Sequence, residues 1–126
     1  MIINHIGIVV DNIEKNINMY SKLGYQLNKN IVWDYNQNNK IALMCSDFST
    51  NIELIEPIDE LSSIYNFNIG YHHICYEAEL GEDIVQIFKA MKIGKIFTKP
   101  IIAPALNNRE IVFACLQNGT FIEFIL

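Results

Sequence analysis

The sequence predicts an α+β fold built from one strand–helix–three-strand module written twice. Two observations carry this. Hydrophobic periodicity gives the order strand, helix, strand, strand, strand from the first residues, and the same order returns after residue 70. Short stretches at matching places also answer each other: "NHIGIVV" is echoed by "HHICYEA", and "NIELI" by "FIEFI". The His5–His73 spacing of 68 residues becomes 70 for Glu53–Glu123, a difference that one loop insertion explains. Such internal repeats fix an architecture before any single element does.

Residues 2–10 read as the first strand. Asp11 is expected to cap the following helix over 12–23, with Glu14 three places on as its reciprocal partner. Ile13, Ile17 and Tyr20 fall on one helical face, and Gly24 marks the stop. Strands follow near 25–33, 40–46 and 51–56. "EPIDELSSIYNFNIG" is a connector. The second module opens with a strand at 71–78 and a helix at 82–92 whose Ile84, Phe88 and Met91 share a face. Strands near 94–98, 110–116 and 120–126 complete it. The whole is a single domain, 1–126, with module 1 about 1–56, connector 57–69 and module 2 about 70–126. With 51% hydrophobic residues, the chain has material for a real core.

A net charge of −5, with no basic run interleaved with aromatics, argues against nucleic acid and against anionic membranes as partners. No apolar stretch has bilayer-spanning length. The opening "MIINHIGIVV" lacks the basic start of a secretory signal, and Cys45, Cys75 and Cys115 lie unspaced in apolar runs. Both features lead to the expectation of a cytoplasmic protein with reduced thiols serving as small core residues.

Neighbouring strand residues point to opposite faces. In "GYHHICYEA" only one of the paired histidines therefore shares a face with Cys75 and Glu77. That one is His73, the counterpart of His5; opposite His72 stands Asn4. His72 is expected on the far face, outside any site. Ile6, Ile8, Ile74 and Tyr76 then lie on the face the helices should cover. Glu53 and Glu123 alternate with apolar neighbours in the same way. A lone histidine or glutamate in a strand has an ordinary structural explanation. The recurrence of both types at the same places in both halves points to a shared site.

"HIGIVVDNIEKNINMYSKLGY", "NIELIEP", "GYHHICYE" and "GTFIEFIL" resemble the vicinal oxygen chelate superfamily, which includes glyoxalase I, methylmalonyl-CoA epimerase, extradiol dioxygenases and bleomycin-resistance proteins. The resemblance covers essentially the whole chain. It implies paired βαβββ modules forming a curved, eight-stranded mixed sheet with the helices outside, and a metal inside the curve. Carried over residue by residue, the metal ligands are His5, Glu53, His73 and Glu123. Two imidazoles and two carboxylates suit a divalent ion of borderline hardness, Zn, Co, Ni, Mn or Fe. A homodimer is also implied.

The superfamily's shared chemistry implies proton removal next to a metal-chelated carbonyl, with Glu123 as the first choice of base and Glu53 the second. "ELIEPIDELSSI" and "GYHHICYE" are most similar to the methylmalonyl-CoA epimerase branch, whose members can carry glutamine at the position of Glu53. They point to an isomerase or epimerase acting on an acyl-CoA thioester or a hydroxy-carbonyl compound. The branch's second catalytic glutamate aligns near Asn36 or Gln37, neither of which can act as a base, and Asp34 is the nearest acid. The alternatives are a lactoylglutathione lyase (glyoxalase I)-like isomerase, for which one base suffices, and a non-catalytic antibiotic-binding protein, which would not need the ligand set. Arg109, the only arginine, is a candidate for a substrate carboxylate, and Trp33 and Tyr35 are candidates for a substrate-pocket wall.

Overall fold

The computed structural model describes residues Met1–Leu126. It contains two helices and ten strands in one mixed sheet. The first module comprises β1 (Ile2–Val9), α1 (Ile13–Lys22), β2 (Gln26–Leu27), β3 (Val32–Asp34), β4 (Asn39–Ser46) and β5 (Ser49–Pro57). The second comprises β6 (Gly70–Glu77), α2 (Ile84–Met91), β7 (Gly94–Ile96), β8 (Ile101–Ala103), β9 (Arg109–Leu116) and β10 (Phe121–Ile125). The sheet order is β2-β4-β5-β1-β6-β10-β9-β7, with β3 also on β4 and β8 also on β9.

That order reads the same from either end. The two modules meet at the antiparallel β1–β6 pair, and each first strand runs parallel to its own module's last strand. The repeat seen in sequence is thus a repeat in space, about a pseudo-twofold axis between β1 and β6.

Ten strands replace the expected eight because the first strand after each helix is broken. In module 1 the polar run Asn28–Asn30 separates β2 from β3. In module 2 Pro100, which has no N–H to give a ladder, separates β7 from β8. Across that break the N–H of Phe113 donates to the hydroxyl of Thr98 at 2.8 Å. The helices are shorter than expected. Asn12, not Asp11, caps α1: its side chain accepts from the Lys15 N–H at 2.8 Å and its carbonyl from that of Asn16. Asp83 caps α2 by accepting from the N–H groups of Val85 and Gln86.

Each helix covers the outer pair of strands in its module. Ile13 of α1 packs with Ala42, Met44, Ile52 and Leu54, and Ile17 and Tyr20 flank them. Ile84 and Phe88 of α2 pack with Val112, Ala114, Ile122 and Phe124. Ile8 and Tyr76 join these clusters, whereas Ile6 and Ile74, on the central strands between the helices, stay half-buried. Neither helix is long and apolar enough to cross a membrane.

The opposite face is closed by the connector. Ile64 packs on Val9 and Ile55. The buried amide of Asn39 accepts from the Ser62 hydroxyl and donates to that of Ser63 at 3.2 Å, which fixes the connector to β4. This closure buries the polar residues that the alternation places there.

Candidate metal centre and active site

The four paired residues converge in the interior. His5, His73 and Glu123 each bring one donor atom into a group whose members lie within 4.8 Å of one another. Nε2 of His73 is 3.4 Å from Nε2 of His5 and 3.5 Å from a Glu123 oxygen. Glu53 approaches this group through His5, with Oε2 at 3.5 Å from Nε2. All four side chains are buried.

Two β-bulges aim the imidazoles. The β1–β6 register slips at Asn4 and again at His72, leaving one extra residue on β1 and one on β6. Bulges re-aim side chains beside functional sites. Here each places a polar side chain on the Nδ1 of the histidine that follows. His5 Nδ1 lies 2.9 Å from the Asn4 carbonyl oxygen, and His73 Nδ1 lies 2.8 Å from Nδ1 of His72. The expectation that His72 lies on the far face is therefore corrected. The bulge turns its ring toward the interior, where it walls the cavity beside His73.

These contacts govern tautomers. The Asn4 oxygen can only accept, so His5 carries its proton on Nδ1 and presents a bare Nε2 to Glu53 and Glu123. Asn4 donates in turn to Glu77 at 3.3 Å, and Glu77 accepts from Arg109 at 2.9 Å. His73 presents a bare Nε2 when its Nδ1–H donates to His72. Such support behind a histidine commonly carries ten- to a hundredfold in metal affinity. Asn4→Ala should accordingly weaken divalent-metal binding by about that factor without changing the far-UV spectrum, as chelator competition and circular dichroism would measure.

Electrostatics are set mainly by burial, which disfavours every charged form. It lowers His5 to about 4, with Arg109 assisting, and holds His73 well below the usual imidazole range, with His5 and His72 assisting. It raises Glu53 well above the usual carboxylate range, helped by Glu123 and Asp34. Glu123 is raised to about 7 by burial, with the Cys75 thiol pulling it down and Asp34 pushing it up. One oxygen of Glu123 is buried with no hydrogen-bond partner. Two neutral imidazoles and two carboxyl groups, one of them with an orphaned buried oxygen, are a donor set that fits a divalent metal.

Uptake of a metal must displace the protons that burial keeps on Glu123 and Glu53. Apparent affinity should therefore fall by about tenfold or more per pH unit below about pH 7, with at least about one proton released per metal at pH 6. The histidines add nothing in this window, because they are already neutral. Calorimetry in buffers of different ionisation enthalpy would count the protons.

The other candidates are placed differently. Asp34 is fully buried and takes three hydrogen bonds: Oδ1 accepts from the backbone N–H groups of Asn36 and Gln37, and Oδ2 from the Gln37 side chain at 3.1 Å. Gln37 itself lines the cavity next to Glu53, His73 and Glu123. Trp33 and Tyr35 flank Asp34 and so point outward, stacked on each other at 6.3 Å and exposed at 48% and 73%. Lys40 sits over the Trp33 ring. Arg109 is occupied by Glu77 and lines no cavity at the site.

Gly7 is a residue that sequence reasoning missed. It stands opposite His73 in the β1–β6 pair, and a side chain there would overlap the His73 ring. A glycine inside an otherwise apolar strand is the signal that could have found it.

Comparison with known proteins agrees with this fold. Residues 4–113 match the model of the Glyoxalase/Bleomycin resistance protein/Dioxygenase superfamily. The chain belongs to that superfamily. A methylmalonyl-CoA epimerase from Mycobacterium tuberculosis superposes with a TM-score of 0.80 at 21% identity, covering 98% of this chain and 85% of that one. A hypothetical protein from Bacillus halodurans C-125 does so with 0.81 at 26%, covering 98% and 92%. A Streptomyces coelicolor methylmalonyl-CoA epimerase variant in complex with 2-nitronate-propionyl-CoA gives 0.76 at 20%, covering 98% and 94%. No protein of curated function matches the sequence.

Proposed function

We propose that the protein is a metal-dependent isomerase that moves a proton at the carbon next to a carbonyl, with Glu123 as the base. The observation that carries this is the partnerless, buried oxygen of Glu123 beside two neutral imidazoles. His5, His73, Glu123 and Glu53 would hold the metal, which when bound supplies Lewis-acid polarisation of the carbonyl. Burial favours the protonated form of Glu123, which helps its carboxylate take a proton from the substrate carbon. Glu53 shares the buried charge and stays a ligand. The substrate is an acyl thioester or a hydroxy-carbonyl compound, and the protein acts as a homodimer.

The hydrogen bonding of Asp34 favours the form of this reading in which one glutamate serves one face. A two-base epimerisation needs a second group free to move a proton. Both Asp34 oxygens are committed to the turn that presents Gln37. Asp34→Asn should leave turnover within a few-fold while lowering stability by about 1 kcal/mol through the altered turn. A drop of about two to four orders of magnitude would make Asp34 the second base and the enzyme an epimerase. Proton exchange in deuterated water, run over a panel of acyl-CoA thioesters and hydroxy-carbonyl compounds with the metal-loaded protein, tests the whole reading. Exchange with none of them, or failure to take up any divalent metal, sinks it.

A further inference from the structure

The cavity against Glu53, His73 and Glu123 measures about 20 Å³. That is room for one water-sized particle, not for a carbon skeleton. Beside it lies a second cavity of about 150 Å³. Gln37, Ile64, His72 and Phe113 wall both, so the second adjoins the small cavity that Glu53, His73 and Glu123 line.

The second cavity is a cage of rings. Phe67 and Phe121 meet edge to face at 5.5 Å, as do Phe97 and Phe121 at 5.7 Å, and His72 meets Phe113 likewise at 6.4 Å. Ser63, Thr98 and Ile101 complete it. No lysine, arginine, aspartate or glutamate lines it. A carboxylate placed there would lose its hydration with no cation to replace it. A methylmalonyl group carries such a carboxylate on its reacting carbon. An uncharged ring loses nothing comparable and gains edge-to-face contacts. The size also fits, since an apolar cavity of about 150 Å³ binds benzene. Phe67 and Phe97 leave 41% and 56% of their surface in water, apolar area that a bound ring would cover.

We propose that this cavity seats an uncharged, benzene-sized aromatic substituent of the substrate, held by Phe67, Phe97, Phe113 and Phe121 with the reacting carbonyl toward the metal donors. The placement of the carbonyl rests on the isomerase reading; the ring site rests on its own walls.

Fluorobenzene titrations followed by fluorine NMR test the ring site with or without metal. Hydroxamates, which offer two adjacent oxygens, test its position against the zinc-loaded protein. Fluorobenzene should bind saturably in both forms. Phenylacetohydroxamate should bind about tenfold or more tightly than acetohydroxamate, as expected for burying a ring, and succinic monohydroxamate should gain nothing. Phe97→Ala, at the exposed rim, and Phe121→Leu, deeper in, should each erase the phenyl gain and leave acetohydroxamate unchanged. Saturable fluorobenzene binding that Phe97→Ala removes sustains the ring site even if the protein takes up no zinc, an outcome that overturns the isomerase reading instead. No saturable fluorobenzene binding, equal affinity for the two hydroxamates in the zinc-loaded protein, or displacement of fluorobenzene by pantetheine would overturn the proposal.

Discussion

Glu123→Gln is expected to reduce turnover by about two to four orders of magnitude, the range a positioned general base typically supplies. The side chain has the two properties that proton transfer requires. Burial favours its protonated form, which strengthens it as a proton acceptor, and one of its oxygens has no partner inside the protein. The amide keeps the size and one coordinating oxygen but cannot accept the proton. Metal content should therefore fall far less than rate, and hydrogen–deuterium exchange at the substrate carbon should fall with the rate. Glu53→Gln is the matched control. It lies on the other side of the repeat, approaches the donor group through His5, and should cost much less turnover. If both variants lose rate equally, the proton is shared between the carboxyls and the assignment of one base is wrong.

The site lies where two independent patterns in the sequence agree. Strand alternation assigns faces, and the repeat selects which histidine and which glutamate in each half share one. Neither needs long-range information, which is why the order of residues alone singles out His5, Glu53, His73 and Glu123. The asymmetric parts are not visible in this way. A bulge at His72 reverses the face that alternation gives it, and its signature is only a register slip against β1. The pairing of His72 with Asn4 across the repeat is nevertheless present in the sequence, as a place where the two opening strands differ in a side chain that touches one of the paired histidines. Asp34, Trp33 and Tyr35 could not all line one pocket, because adjacent strand residues alternate. With Asp34 inward, the aromatics had to face out. The connector is harder. Its anchor is the buried Asn39 amide against Ser62 and Ser63, a tertiary contact between polar residues that periodicity does not register.

Gly7→Ala should abolish tight metal binding, lowering affinity by about a hundredfold or more, while the protein still folds. The position is fixed from both sides, since Gly7 pairs with Glu53 on β5 and with His73 on β6. An added Cβ would overlap Nδ1 and Cε1 of the His73 ring. The strand cannot retreat without opening both ladders, so the ring must turn. Turning it breaks the Nδ1 contact to His72 and swings Nε2 away from His5 and Glu123. The metal-free protein should also lose about 1–3 kcal/mol, the usual range for overpacking a tight interior. Gly119→Ala separates this from ordinary destabilisation. Gly119 has φ +85° with open space around it, so alanine there strains the turn before β10 without touching an imidazole. Thermal melts and chelator competition on the two variants should divide cleanly: both lower the melting temperature, and only Gly7→Ala loses the metal. Wild-type affinity in Gly7→Ala would mean that His73 holds no metal through the ring orientation this fold gives it, and that Gly7 is small for packing alone.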